Sequence, residues 1–178
     1  MKLSPPAAVI FDLDGTLVDT APDLTAALNT TLAEHGRSAL SVASVRTMIG
    51  DGTAKMVERG FTATGAAPAD LDAAVGRFLS FYRAGVANRS VAYPGVAETL
   101  AELTASGCRL AVCTNKPDAL AEALLAALGL RAYFHTVTGG DVPHRKPDPR
   151  HLQMTLASLG VAATDAVAAP TAAAEPEV

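Results

Sequence analysis

Asp12 and Asp14 stand one residue apart, just after the short apolar run Val9-Ile10-Phe11, and Gly15-Thr16 follows them. In an extended strand, residues i and i+2 point the same way, so the two carboxylates share one face with Leu13 between them. Carboxylates this close repel unless they share a proton or a cation. The pair therefore asks for a hard divalent metal, most simply Mg2+, with Asp12 and Asp14 as its ligands. Gly15 permits a tight turn that would bring backbone N–H groups close to an anion. An Asp-rich turn after a strand has the same short pattern, so the pair alone leaves both readings open.

Three further clusters carry chemical potential. Thr114-Asn115-Lys116 follows the apolar run 109–113 and would present a hydroxyl and turn N–H groups at a strand end. An ordinary strand-to-helix turn with a helix cap reads the same way. Lys146 precedes Pro147-Asp148-Pro149, a stiff segment that limits its wandering, although a surface lysine near a helix start would also fit. Gly50-Asp51-Gly52 is followed by Lys55 and Arg59, a pattern shared with a helix-breaking loop carrying two solvated cations. His35, His135, His144 and His151 have no metal-ligand spacing and read as surface or packing residues.

The elements that must position these groups fall into two kinds. Val9-Ile10-Phe11 reads as a buried strand that delivers Asp12 and Asp14 to its C-terminal edge, where open α/β sheets bind ligands. A helical block comes next. Ala21-Pro22-Asp23 opens a helix that Gly36 stops, and Asp23 is favourable near its positive end. Ser41 caps a short helix carrying Val45, Met48 and Ile49, and a third helix covers 53–61. Leu71, Val75, Phe78, Leu79, Tyr82 and Val86 form the stripe of a fourth. From Tyr93 onward, helices and strands alternate. A helix stopped by Gly107 is followed by a strand over 109–115 and a helix from Pro117 to Leu128. A short strand over 134–138 and a helix opening at Asp148-Pro149-Arg150 complete the series. This alternation predicts a parallel, doubly wound sheet interrupted after its first strand by a helical lid.

Composition narrows the function classes. The chain has 178 residues, 49% of them hydrophobic and 18% charged, with a net charge of -4. That balance lacks the basic face a nucleic-acid binder needs. No run of 18 apolar residues suggests a membrane span, and the start MKLSPPAAV is too short in apolar length for a signal peptide. Cys108 and Cys113 would point to opposite faces of one strand, which argues for reduced thiols and a cytoplasmic protein.

The string FDLDGTLVD, with VCTN at 112–115 and KPDP at 146–149, resembles the signatures of the haloacid dehalogenase (HAD) superfamily. FDLDGTLVDTAPDL together with IGDGTAKMVERG is similar to its phosphoglycolate phosphatase branch. The resemblance implies a Rossmann-like α/β core split into 1–17 and 91–168, an all-helical C1-type cap over 18–90, and a disordered tail from 169. It makes Asp12 the nucleophile that accepts the phosphoryl group and Asp14 the general acid and base. A carboxylate suits this role, since a covalent intermediate divides one hard displacement into two easier ones. Thr114 then hydrogen-bonds the phosphoryl group with Asn115 beside it. Lys146 offsets charge on the nucleophile and phosphate, Gly15 belongs to the phosphate turn, and Gly52 sits in the cap loop that reads substrate. The implied cofactor is Mg2+ and the implied substrate a small phosphate ester, most simply 2-phosphoglycolate, with neither nucleic acid nor membrane as partner. The acid at Asp14 argues against dehalogenase and phosphonoacetaldehyde hydrolase chemistry. A sugar-phosphate mutase or phosphatase of the same superfamily is an alternative.

The resemblance runs from about Val9 to Val167. The family pattern would continue into an acidic GDSxxD segment that supplies another metal ligand. This chain instead reads Ala168-Ala169-Pro170-Thr171 and ends rich in Ala, Pro and Glu. The expectation is a shortened or frame-shifted reading frame with a weakened metal site, or a catalytically impaired remnant that binds phosphate or a partner protein. A second expectation is that Val9-Ile10-Phe11 lies at an unprotected sheet edge, covered at most by a stub over 165–168.

Overall fold

The computed structural model describes residues 6–169, so the expected disordered tail lies outside the described residues except for Ala169. The chain divides into two compact units, Met1–Val18 with Ala92–Val178, and Asp19–Val91. Two short strands at the division, β2 (Val18–Asp19) and β3 (Val91–Ala92), pair with each other.

The first unit is α/β. Its sheet has four strands in the order β5-β4-β1-β6: β1 is Ala8–Phe11, β4 Arg109–Cys113, β5 Thr136–Thr138 and β6 Ala166–Ala168. All pairings are parallel. Phe11 lies opposite Val112, and Cys113 opposite Thr138, so the strands finish at one edge and the loops after β1, β4 and β5 emerge together. Among the described residues three α-helices belong to this unit: α5 (Val96–Ala105), α6 (Asp118–Ala127) and α7 (Pro149–Leu159). One sheet face buries Ala8, Ile10, Ala111 and Cys113 against Leu156 and Leu159 of α7. By strand alternation the opposite face carries Val9, Phe11, Leu110 and Val112, with Phe11 edge-on to Phe134 at 6.3 Å. This is the expected Rossmann-like arrangement.

Several boundaries differ from the sequence reading. β4 ends at Cys113, so Thr114 and Asn115 belong to the loop. A 3-10 turn at Arg131–Tyr133 and the extended Phe134 precede β5, which starts only at Thr136. The expected exposed edge at β1 is corrected. β6 pairs Ala8 with Ala166 and Ile10 with Ala168, and bonds at both ends (Ala7 N–H to Asp165 O, Ala169 N–H to Ile10 O, each 2.9 Å) extend the ladder. β1 is therefore an interior strand, and the edge passes to β6, where Val167 is 51% exposed.

The second unit is helical: α1 (Ala21–Glu34), α2 (Val42–Arg46), α3 (Thr53–Ala63) and α4 (Leu71–Ala84). Ser41 caps α2 by accepting the Ser44 N–H. That helix stops at Arg46, leaving Met48 in the following turn and Ile49 just beyond it. Leu28, Leu32, Val57, Phe61, Phe78 and Tyr82 are its buried centre. A Cβ on Gly60 would come within 2.8 Å of Leu28, so the small residue sets how closely α3 approaches α1. Asp23 does more than complement the α1 dipole. It is 4% exposed and accepts the Arg89 and Ser90 N–H groups and the Ser90 hydroxyl, pinning the segment that returns toward β3.

Candidate active site

The loops after β1, β4 and β5 bring six of the expected residues to one edge of the α/β unit. Asp12 follows the last residue of β1. Its Oδ1 accepts the Leu13 N–H at 2.8 Å and lies 2.7 Å from Lys146 Nζ. Asp14 accepts a hydrogen bond from Lys116 Nζ at 2.9 Å. Each aspartate thus has its own lysine, contributed by a different loop. Lys116, absent from the sequence-based site, is the more buried of the two: its side chain is 3% exposed against 31% for Lys146. Its signal was the second carboxylate itself, since two paired acids require two cations or a metal.

Thr114 is buried, and its hydroxyl oxygen accepts the Lys116 N–H at 3.2 Å, which shapes the loop that aims Lys116 at Asp14. Asn115, expected beside phosphate, also holds the Lys146 backbone. Its Oδ1 accepts the Lys146 N–H at 3.0 Å, and its Nδ2 donates to the Lys146 carbonyl at 3.1 Å. Gly15 adopts φ +79°, which permits the turn, yet its N–H donates to Val18 O at 2.9 Å. Gly15 therefore contributes backbone shape rather than a donor to an anion. Gly52 lies in the helical unit, where it is the N-cap of α3 with φ +91°. The α3 cations are matched locally, Lys55 with Glu58 at 2.8 Å and Arg59 with Asp51 at 2.5 Å.

The surroundings of the aspartates are mixed. A cleft of about 380 Å³ is lined by Asp12, Lys146, Cys113, Pro147, Leu152 and the end of β6, among others. Burial pushes the Cys113 thiol above its usual range, so it is an inert packing group; both cysteines are free. Asp148 caps α7 by accepting the Arg150 N–H, and its ion pair with the Arg150 guanidinium holds its carboxyl down at about 2.

Asp12 and Asp14 offer hard oxygen donors, which suit Mg2+. Among the described residues, however, no third His, Cys, Asp or Glu joins them. The hydroxyl of Thr16, two residues after Asp14, is buried without a hydrogen-bond partner among the described residues. The donors fit an Mg2+ ion that keeps several waters, held by the Asp12 carboxylate and by Asp14.

The haloacid dehalogenase-like hydrolase profile matches residues 6–169. The chain belongs to that family. This HAD-like chain is 47% identical over 158 residues to a phosphoglycolate phosphatase of Caulobacter vibrioides, covering 86% of the chain and 66% of that relative. It is 47% identical over 169 residues to a phosphoglycolate phosphatase of Rhodospirillum rubrum, covering 91% and 70%. It thus spans about two thirds of the length of these relatives. Among solved structures, a predicted phosphoglycolate phosphatase from Haemophilus somnus superimposes with a TM-score of 0.85 at 31% identity, over 93% of this chain and 77% of that one. CbbY from Rhodobacter sphaeroides, solved in complex with phosphate, superimposes with a TM-score of 0.76 at 28% identity, over 92% and 76%. No helix among the described residues is long and apolar enough to cross a membrane.

Proposed function

We propose that this chain is a phosphatase that hydrolyses 2-phosphoglycolate, or a similar small phosphomonoester, to an alcohol and phosphate. The observation that carries the reading is the pairing of each aspartate with its own lysine at one sheet edge, Asp12 with Lys146 and Asp14 with Lys116. Phosphoryl transfer is mostly positioning and charge stabilisation, and these pairs supply both. An Asp12 carboxylate oxygen attacks phosphorus, and the bond from phosphorus to the leaving oxygen breaks. Asp14, which takes up a proton from solvent before this step, gives that oxygen its proton. The resulting aspartyl-phosphate is cleaved by water, whose proton Asp14 takes back, releasing phosphate and restoring Asp12. Lys146 lies against Asp12, where it offsets charge on the nucleophile and the incoming phosphate. Bound Mg2+ would supply further compensation for phosphate charge, with Asp12 and Asp14 as its protein ligands. The core 1–17 with 91–168, the cap 18–90 and substrate reading by Gly52 are parts of the same proposal. Two buried free thiols suit the reducing cytoplasm.

The test is Mg2+-dependent phosphate release from 2-phosphoglycolate, compared with Asp12→Asn. Loss of all turnover in the variant is the expected result, and activity unaffected by the substitution would sink the assignment. A second reading, a catalytically impaired family member that only binds phosphate, is favoured by the two-acid metal set. It predicts phosphate binding without turnover at any Mg2+ concentration.

A further inference from the structure

His151 reads from sequence as a packing histidine, and it is completely buried. Its ring nevertheless makes two specific hydrogen bonds. Nδ1 accepts the Lys146 N–H at 3.2 Å, and Nε2 donates to the Gly139 carbonyl at 3.0 Å. A nitrogen that accepts from a backbone N–H carries no proton, so the ring is neutral with its hydrogen on Nε2. His151 lies in the first turn of α7 and reaches back across the whole β5–α7 loop, touching its first residue and the lysine near its end.

That loop has no ladder of its own to hold it. Lys146 must nevertheless keep a flexible four-carbon side chain, 31% exposed, against Asp12. With so mobile a side chain, placement of the ammonium depends on placement of the backbone. Two side chains fix that backbone. Asn115 takes the N–H and the carbonyl, and His151 shares the N–H while anchoring Gly139. Gly139 is held a second time, by Asp118 Oδ1 accepting its N–H at 2.6 Å.

We infer that His151 is a positioning residue that fixes Lys146 against Asp12 by clamping the β5–α7 loop at both ends, and that it does so only while its ring is neutral. The inference rests on the reading of Lys146 as the charge partner of Asp12. Burial lowers the His151 pKa, as does the Lys146 charge, whereas backbone hydrogen bonds to Gly139 and Thr138 and the Asp118 carboxylate oppose them. The Cys113 thiol at the end of β4 stays protonated and adds no charge. A proton on Nδ1 would set one N–H against another and add a cation beside Lys146. The clamp would then open.

Nitrogen-15 NMR of the full chain tests this without relying on turnover. In the wild type the His151 ring should show an unprotonated Nδ1 and a protonated Nε2. His151→Asn can keep an acceptor near the Nδ1 position, whereas His151→Gln reaches only toward Nε2. A lost hydrogen bond of typical net strength corresponds to roughly fivefold. The Lys146 amide should therefore exchange roughly fivefold faster in His151→Gln and return toward the wild-type rate in His151→Asn, with the Val112 amide unmoved. On acidification, the Lys146 amide exchange rate, corrected for its intrinsic pH dependence, should rise as the His151 ring titrates. A protonated Nδ1 in the wild type, or equal Lys146 exchange in all three proteins, overturns the inference. If every protein lacks turnover while the NMR pattern holds, the phosphatase reading fails and the clamp stands.

Discussion

Replacing Lys116 with methionine removes the cation from Asp14 while keeping much of the side-chain volume. The two charges are 2.9 Å apart, with side chains 3% and 13% exposed. At that distance Coulomb's law gives about 6 kcal/mol for an effective dielectric of about 20, and about 1.4 kcal/mol in bulk water. Burial favours the first value, and desolvation of both ions offsets part of it. Breaking such a pair typically costs about 3 kcal/mol, because the remaining charge stays buried without its partner. Lys116→Met should therefore lose about 3 kcal/mol, read as roughly 150-fold faster hydrogen exchange in β4, whose amides open with the α/β unit. Asp14→Asn on the Lys116→Met background should recover much of that loss, since it removes the stranded carboxylate. The full cycle should give a coupling near 3 kcal/mol, whereas the same cycle at exposed Lys55–Glu58 should give below about 0.5 kcal/mol. If Lys116→Met costs less than about 1 kcal/mol, the pair behaves as a surface ion pair, and the argument for a preorganised Asp14 fails.

Two further perturbations act on the same edge. A Cβ at Gly140 would lie 2.4 Å from the Asn115 carbonyl oxygen, a backbone atom that cannot swing aside. Gly140→Ala should cost about 1–3 kcal/mol and raise Lys146 amide exchange with it; a variant as stable as wild type would show the loop to be slack. Burial keeps the folded-state pKa of His151 below its unfolded value, so the unfolded chain takes up a proton near pH 6.5 while the folded chain does not. This contribution to stability is complete above about pH 6.5 and falls as the pH drops toward the folded pKa. Denaturant midpoints measured across that range should decline less steeply in His151→Asn, and parallel curves would contradict the assignment.

The strands and the first-order site were legible because apolar runs ending in charged turns carry a strong local pattern. Val9-Ile10-Phe11 and 109–113 each announce a buried strand, and their ends carry Asp12, Asp14 and Thr114. What escaped the sequence reading depends on contacts between distant residues. Asn115 is expected beside phosphate through the resemblance of VCTN to the family's second signature, and its bonds to the Lys146 backbone lie outside that expectation. Nothing local shows that a backbone 31 residues away passes within reach of its amide. His151 reads only as a surface or packing residue for the same reason, since its partners are a carbonyl and an N–H that every residue possesses. β6 was seen only as a stub, because Ala166-Val167-Ala168 has little strand character of its own; the open ladder of β1 recruits it.

Charge bookkeeping at the edge yields a last expectation. In the substrate-free site, with both carboxyls ionised, Asp12 and Asp14 are matched one to one by Lys146 and Lys116, so the four groups together carry no net charge. A phosphate dianion brought against them meets no surplus cation from this set, and Lys55 and Arg59 already face Glu58 and Asp51. Two uncompensated negative charges in a partly dry cleft are costly, so phosphate should bind poorly until further positive charge arrives. Calorimetric titration of inorganic phosphate should accordingly show an affinity at least about tenfold higher with Mg2+ than in chelator, a difference of about 1.4 kcal/mol. Lys116→Met should weaken binding in both conditions by removing one of the two balancing cations. Phosphate that binds equally well in chelator would mean that the lysines serve the anion more than the aspartates. The pairing of each acid with its own cation would then no longer support nucleophilic attack by Asp12.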